Sequence, residues 1–336
     1  MTAVLTSQLT KASSGLRPMD PMKDLRGVAD LIEAAFANEL DHSGQNALKE
    51  LRWLSRFKPI LWWMVYSNPD HTDFLSGFVW EEDGKIVGNI TINRAGTGAQ
   101  RWLISNLAVS EKHRQRGIAR GLMYAALELV KEYNGRMVSL QVRQDNEPAR
   151  HLYEQFNLKE ISGTVHLRTD DVPRAKQLPI PPPVKLRERQ LDMADAKSAY
   201  DLACAATPLT VQKEWSIRQR HFRLNSSEHI NNLFRQLWGG GATQHWVVED
   251  GHRFVAVVHI QPGGWGKNHK IDLTVHPDWR GVLEQPLLNR ALVYLYQWPQ
   301  RAIDVRHPTY HPEAITAYKE LGFRETQTLL WMKKEM

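Results

Sequence analysis

The chain is expected to fold as an α/β protein made of two successive copies of one arrangement. Three observations predict this. Apolar residues switch between strand-like and helix-like spacing along the 336 residues. Both halves present these elements in the same order. A proline-rich break, Pro179 with Pro181, Pro182 and Pro183, lies between them, and such a segment is extended and excludes helix. The expected boundaries are 14–169, a linker at 170–183, and 184–336.

In the first half, "SGLRPMD" reads as a short strand and "MKDLRGVADLIEAAF" as a helix, because its apolar residues recur at helical spacing. "ALKELRWLSRF" is a second helix. "FLSGFVWEEDGKIVGNITINR" is a hairpin, with Asp83-Gly84 as its turn. "RWLISNLAVS" is a buried strand. Apolar residues at 118, 122, 123, 126, 127 and 130 then mark a helix that starts near Gly117. "RMVSLQVR" is a strand, "EPARHLYEQF" a helix and "LKEISGTVHLR" a strand.

The second half repeats the order. "VKLRERQ" precedes the helical "MADAKSAYDLACAA" and a helical stretch expected from Gln212 to Leu237. The hairpin "QHWVVEDGHRFVAVVHIQ", the strand "KIDLTVH", the helix "EQPLLNRALVYLYQW", the strand "RAIDVR", the helix "HPEAITAYKELGF" and the strand "RETQTLLWMKK" follow. "ARHLYEQFNLKE" aligns with "AITAYKELGFRE", which sets Tyr153 opposite Tyr318 at a shift of 318 − 153 = 165. "NLAVS" aligns with "DLTVH". An internal duplication accounts for both matches.

Composition bounds the function. Lys plus Arg is 43 against 37 Asp plus Glu, a net charge of +6, which favours anionic small molecules. The basic residues are spread along the chain, so nucleic acid is not an expected partner. The single cysteine, Cys204, permits no disulfide framework or thiolate-rich metal site. No charged leader followed by an apolar block opens the sequence, and "PILWWMVYSN" is too short to cross a bilayer. A cytoplasmic location without membrane attachment is the expectation.

The segment "HRQRGIARG", residues 113–121, holds three arginines and two glycines between a strand and a helix. The first turn of a helix presents N–H groups without intrahelical partners, and the helix dipole adds positive charge there. Such an end holds phosphate. Gly117 and Ala119 are small enough to let an anion approach the backbone, while Arg114 and Arg116 add charge. From these residues alone, a solvated basic turn explains the segment equally well.

The pattern Arg114-x-x-Gly117-x-Ala119, preceded by "LAVS" and followed by Asn146, Ala149, Leu152 and Tyr153 in "DNEPARHLYEQFNLKEI", resembles the GNAT superfamily of acyl-coenzyme A-dependent N-acetyltransferases. The resemblance covers about residues 14 to 168 in element order. It implies two tandem GNAT-like α/β (α+β) domains, each a mixed, mostly antiparallel central sheet flanked by helices. It implies acetyl-CoA as co-substrate, with no metal, and an amine-bearing small molecule or peptide as acceptor. The pyrophosphate would be held by the backbone of Arg114, Gln115, Arg116, Gly117, Ile118 and Ala119, with Arg120 and Gly121 as additions. Leu107, Ala108 and Val109 would pair with the pantetheine arm, and Asn146 would touch it. Asn146 also fits an N-cap ahead of Pro148.

Acetyl transfer to an amine requires a base, an oxyanion contact and an acid for the departing thiolate. Tyr153 is the candidate acid, and the backbone of Leu107 or Val109 the candidate oxyanion contact. Many relatives carry a carboxylate ahead of the "L-x-V" of the central strand, where this chain has Ser105 and Asn106. Either water carries the proton outward past Ser105 or Asn106, or Glu81 or Glu82 in the hairpin reaches the site. Trp62, Trp63 and Tyr66 would pack in the core or wall the acceptor pocket. In the second half, "HPDWRGVLEQPLL" retains Arg280, but Leu283 and Glu284 stand where a phosphate would meet bare backbone, and Pro286 suits a helix start. That half reads as a degenerate copy in which Tyr318 persists without a cofactor loop. His307 and His311 stand four apart, but the prolines around them exclude a regular helix and no third ligand is evident. A rival function is a non-catalytic acetyl-CoA-binding module.

Overall fold

The computed structural model describes residues 15–36, 49, 52–53, 76–94, 100–190, 192–223, 241–264 and 266–336. The expected helix at 47–57 falls largely outside these residues, and Trp62, Trp63 and Tyr66 fall wholly outside them. The chain divides into two compact units. One holds residues up to Gln141 with Pro148–Lys159 and Met332–Met336; the other holds Val142–Glu147 and Glu160–Trp331.

In the first unit, β1 (Gly15–Pro18), β2 (Gly77–Glu82), β3 (Lys85–Arg94), β4 (Arg101–Val109) and β5 (Met137–Arg143) lie side by side in that order. The first four pair antiparallel, and β5 joins β4 in parallel. Asp83 and Gly84 both have positive φ, 51° and 71°, as the two-residue hairpin turn between β2 and β3 demands. Helix α1 (Pro21–Ala35) is capped by Asp20, whose side chain accepts from the Met22 amide, and it buries Leu25, Val28, Ala29, Leu31 and Ile32. Helix α2 (Ile118–Glu132) buries Ile118, Leu122, Met123, Ala126, Leu127 and Val130, the six apolar positions expected from the spacing. Helix α3 (Glu147–Gln155) buries Tyr153; β6 (Lys159–Thr169), which follows, belongs past Lys159 to the second unit.

The second unit repeats the pattern with β7 (Lys185–Glu188), α4 (Met193–Ala206), α5 (Leu209–Glu214), β8 (Gln244–Asp250), β9 (Arg253–Gln261), β10 (His269–Val275), α6 (Glu284–Leu295), β11 (Ile303–Pro308), α7 (Pro312–Glu320) and β12 (Arg324–Glu335). β7 to β10 pair antiparallel, β10 and β11 parallel, and β11 pairs antiparallel with β6. The helix expected from Gln212 to Leu237 is broken within its described part, and residues 224–237 lie outside the described residues. α5 ends at Glu214, Trp215 is extended at φ −120° and ψ 97°, and a short 3-10 turn takes up Gln219–Phe222. Apolar spacing did not register this break, since no proline or glycine marks it.

The duplication extends to side chains. Arg17 grips Asp24 through both terminal nitrogens at 2.6 and 2.8 Å and reaches Glu81 at 2.6 Å. In the second unit Arg187 grips Asp195 at 2.7 and 2.6 Å and reaches Glu249 at 2.6 Å. The carboxylates also accept equivalent main-chain bonds, Asp20 N–H to Asp24 and Gln190 N–H to Asp195. The two fork-shaped guanidinium sites have the same order of partners, Arg17 with Asp24 and Glu81, Arg187 with Asp195 and Glu249.

Two histidines of the second unit give it a defined acid sensitivity. His245 stacks on His259, and burial, with the charges of His259 and Arg189, lowers its pKa to about 3. Burial, with His311 and Arg280, lowers that of His307 to about 3 as well. An unfolded histidine takes up its proton below about 6.5. Between the two values the unfolded chain binds more protons, so stability rises with pH from about 3 to 6.5. The urea midpoint of the full chain should therefore fall steadily from pH 7 to pH 4. A midpoint that stays flat across this range would contradict the burial of these rings.

Candidate active site

The geometry of the first unit centres on β4 and the loop after it. Between Asn89 and Thr91 the β3–β4 register slips: three residue steps on β4, from Ser105 to Ala108, face two on β3. This is a β-bulge. Asn106 supplies it by adopting φ +52°, a conformation asparagine tolerates better than most residues. On the other side, the parallel register with β5 runs only from Arg101–Met137 to Ile104–Leu140. From Ser105 onward the β4 backbone is thus kinked and leaves that ladder. Leu107, Ala108 and Val109 lie on this stretch.

Asn89 was not anticipated as part of the site. It is fully buried, and its Nδ2 donates to the Asn106 carbonyl at 3.1 Å. Its Oδ1 is buried without a partner among the described residues. Asn89 therefore pins the bulge from β3. Its one sequence signal is a polar side chain inside the apolar run "KIVGNITI".

The loop from Ser110 to Gly117 carries the expected anion-binding features. The Ser110 amide donates to Val87 O at 2.8 Å, which ties the loop to β3. Gln115 and Gly117 have φ of +62° and +80°, and Gly117 forms the left-handed entry to α2. Among the described residues, the amides of Gln115, Arg116, Gly117, Ile118, Ala119 and Arg120 have no backbone acceptor; the first amide held by the helix is that of Gly121. A Cβ built at Gly117 would meet nothing within 4 Å, so the backbone is uncovered on that side. Tight seating of the helix start explains the other small residues. A Cβ at Gly88 would lie 2.8 Å from Ile118 Cγ2, and one at Gly121 would lie 3.0 Å from the Trp80 ring.

The arginines divide their work. Arg116 makes a two-point bridge to Glu82 at 3.0 and 2.9 Å. Arg120 reaches Gln155 Oε1 at 2.7 Å, linking the starting turn of α2 to α3. The Arg114 side chain donates to the Val109 carbonyl at 3.4 Å. Glu82 is thus neither a solvated turn residue nor an unengaged base. Burial raises its carboxyl, but the bonds from Arg116 and Trp80 and the charge of His113 outweigh it and hold the pKa below the ordinary value. Glu81 is held by Arg17. Both hairpin carboxylates serve ion pairs.

Tyr153 is 7% exposed, and burial pushes its phenol pKa up to about 12. Asn146 directly precedes α3, and its amide bonds Arg143 O at 3.1 Å. In the second unit, Gly281 keeps a positive φ of 77°, but Leu283 has φ −96° and is fully buried, filling the place that corresponds to Gly117. β9 and β10 pair there without a register slip. Glu284 is buried at 1% exposure and bonded to His311, so it does not stand at an exposed helix start as its charge suggested.

The family model described as Acetyltransferase (GNAT) family matches residues 41–158. An N-terminal acetyltransferase complex ARD1 subunit homolog of Dictyostelium discoideum is 34% identical over 138 residues, covering 39% of this chain and 68% of that protein. An N-alpha-acetyltransferase of Sulfurisphaera tokodaii is 33% identical over 103 residues, 28% of this chain and 62% of the relative. A protein of Bacillus subtilis named as a [ribosomal protein bS18]-alanine N-acetyltransferase is 36% identical over 81 residues, 24% of this chain and 52% of its own length. The match thus spans 52 to 68% of the length of these curated relatives. Among solved structures, a GCN5-related N-acetyltransferase from Sphaerobacter thermophilus aligns over 95% of both chains with a TM-score of 0.60 at 16% identity, a likeness of fold.

Proposed function

Because this chain belongs to the acetyltransferase (GNAT) family, we propose that its first unit moves an acetyl group from acetyl-CoA to a primary amine by direct attack in a ternary complex. The observation that carries this reading is the run of amides from Gln115 to Arg120, open at the start of α2. They suit a diphosphate, to which Arg114 adds charge. The bulged β4 backbone at Leu107 to Val109 suits an extended amide-bearing arm and an oxyanion contact. Asn146 is the further residue proposed to touch that arm. The amine forms its bond to the acetyl carbon as the C–S bond breaks, and the thiolate leaves. Tyr153 is placed in this reading as the acid for the thiolate, since a phenol with a pKa about 12 keeps its proton at neutral pH. Proton loss from the amine would run through water past Ser105 and Asn106. The names of the relatives favour the α-amino group of a peptide or protein as acceptor.

A thiol-release assay with acetyl-CoA and a panel of amines, including peptides with free N-termini, tests the proposal. Tyr153→Phe should leave acetyl-CoA binding unchanged and lower kcat about 100-fold. The wild-type kcat should show no alkaline loss up to pH 10, because the phenol stays protonated there. An unaltered kcat in Tyr153→Phe would remove the acid from this scheme. One observation favours a second reading, a module that binds acetyl-CoA without turnover: Glu81 and Glu82 are engaged in ion pairs, and Ser105 and Asn106 replace a carboxylate. That reading is supported if acetyl-CoA binds and no amine releases thiol.

A further inference from the structure

The second unit contains a buried cluster that acetyl transfer does not use. Glu284 at the start of α6, His307 on β11 and His311 ahead of α7 are 1%, 2% and 3% exposed. Glu284 Oε1 lies 2.8 Å from His311 Nε2, and His311 Nδ1 lies 2.9 Å from His307 Nε2. Each ring thus has one nitrogen fixed toward the next group, and the chain orients the His307 ring. With Glu284 ionised, protons point inward along the chain and His307 Nδ1 is an acceptor. With Glu284 protonated the order reverses and His307 Nδ1 becomes a donor.

His307 also lines a cavity of about 250 Å³, with Ala203, Asp272, Thr274 and Arg280 among the other walls. The cavity lies where β10 and β11 part, for their register reaches only Lys270–Asp304. Arg280 is anchored by neutral groups: its terminal nitrogens donate to Tyr310 O at 3.0 Å and Ala206 O at 2.8 Å. Its Nε is buried without a partner among the described residues. Asp272 is engaged by His259 at 3.1 Å. A guanidinium held by carbonyls keeps its charge uncompensated, and such a charge at a cavity wall calls for an anion.

We propose that this cavity binds a small organic monocarboxylate, with Arg280 supplying the charge and His307 a hydrogen bond. The volume exceeds the ~150 Å³ cavity that takes up benzene and falls short of the ~300 Å³ where drug-sized pockets begin. With Glu284 protonated, His307 Nδ1 is the donor the carboxylate needs, and Asp272 on the wall opposes a second negative charge, which disfavours phosphate dianions. The site is independent of the acetyl-transfer reading, and its test reads binding alone.

Calorimetric titration of the full chain with butyrate and benzoate should show binding, while butyramide, the neutral counterpart, should show none. Inorganic phosphate should bind more weakly than butyrate. Arg280→Gln should weaken carboxylate binding about tenfold or more. Because that change also releases the Tyr310 and Ala206 carbonyls, Ala203→Phe provides a second variant that fills the cavity and leaves those bonds in place. It should lose binding while its circular dichroism is unchanged. The proposal is overturned if neither carboxylate binds, if butyramide or phosphate binds as well as butyrate, or if folded Ala203→Phe still takes up carboxylate.

Discussion

Replacing Gly117 by glutamate is expected to weaken acetyl-CoA binding at least about 100-fold, a loss of ~2.7 kcal/mol. Two effects add. At φ +80° an L-residue costs about 1–2 kcal/mol, and the new carboxylate stands beside amides that have no backbone acceptor. There it repels a diphosphate and offers itself to the same donors. A Cβ at this position meets no atom within 4 Å, so the fold should survive with a modest fall in melting temperature. Calorimetric titration with acetyl-CoA and a far-ultraviolet spectrum check both parts. Undiminished affinity in a folded Gly117→Glu protein would mean that the diphosphate is held elsewhere.

The second large effect concerns stability. Asp24→Ala and Asp195→Ala should each destabilise their own unit by about 2–4 kcal/mol. The side chains are 5% and 6% exposed, and each leaves behind an arginine fork and a main-chain donor. Breaking a fully buried pair costs about 3–5 kcal/mol; here Arg17 and Arg187 retain 29% and 32% exposure, which lets water compensate part of the loss. For units of this size the shift in melting temperature is about 4–16 °C. The direction with pH can be worked out for Asp195. Burial raises its carboxyl, but the Arg187 bond and the Gln190 amide outweigh that and lower its pKa from 3.8. Its contribution is therefore present above about pH 4 and lost as pH falls through the lower folded value. Calorimetric scans of the two variants should show one transition moved in each. Variants that melt like the parent would show that these forks carry no stability.

The order of strands and helices was legible because it rests on local rules. Side chains two apart share a strand face, and those three or four apart share a helix face. The six buried positions of α2 and the Asp83-Gly84 turn follow from those rules alone. The loop at Arg114 to Ala119 was marked in the sequence by small residues at a helix start and by its likeness to the family motif, whereas the left-handed φ of Gln115 and Gly117 was not anticipated. Where a local rule had nothing to act on, the reading failed. No breaker marks the end of α5, so the expected continuation from Gln212 was wrong.

Taken by itself, the sequence determined that the chain holds two copies of one α/β arrangement and that only the earlier copy keeps a bare-backbone turn. Packing alone decided the rest. It placed Asn89 beneath the Asn106 bulge, drew Glu82 to Arg116 across 34 positions, and joined Glu284 to His311 across 27. The physical reason is range: dihedral preference and apolar spacing act within a turn or two of chain. A hydrogen bond between distant residues exists only once the sheet has set them side by side, and no short stretch encodes that meeting.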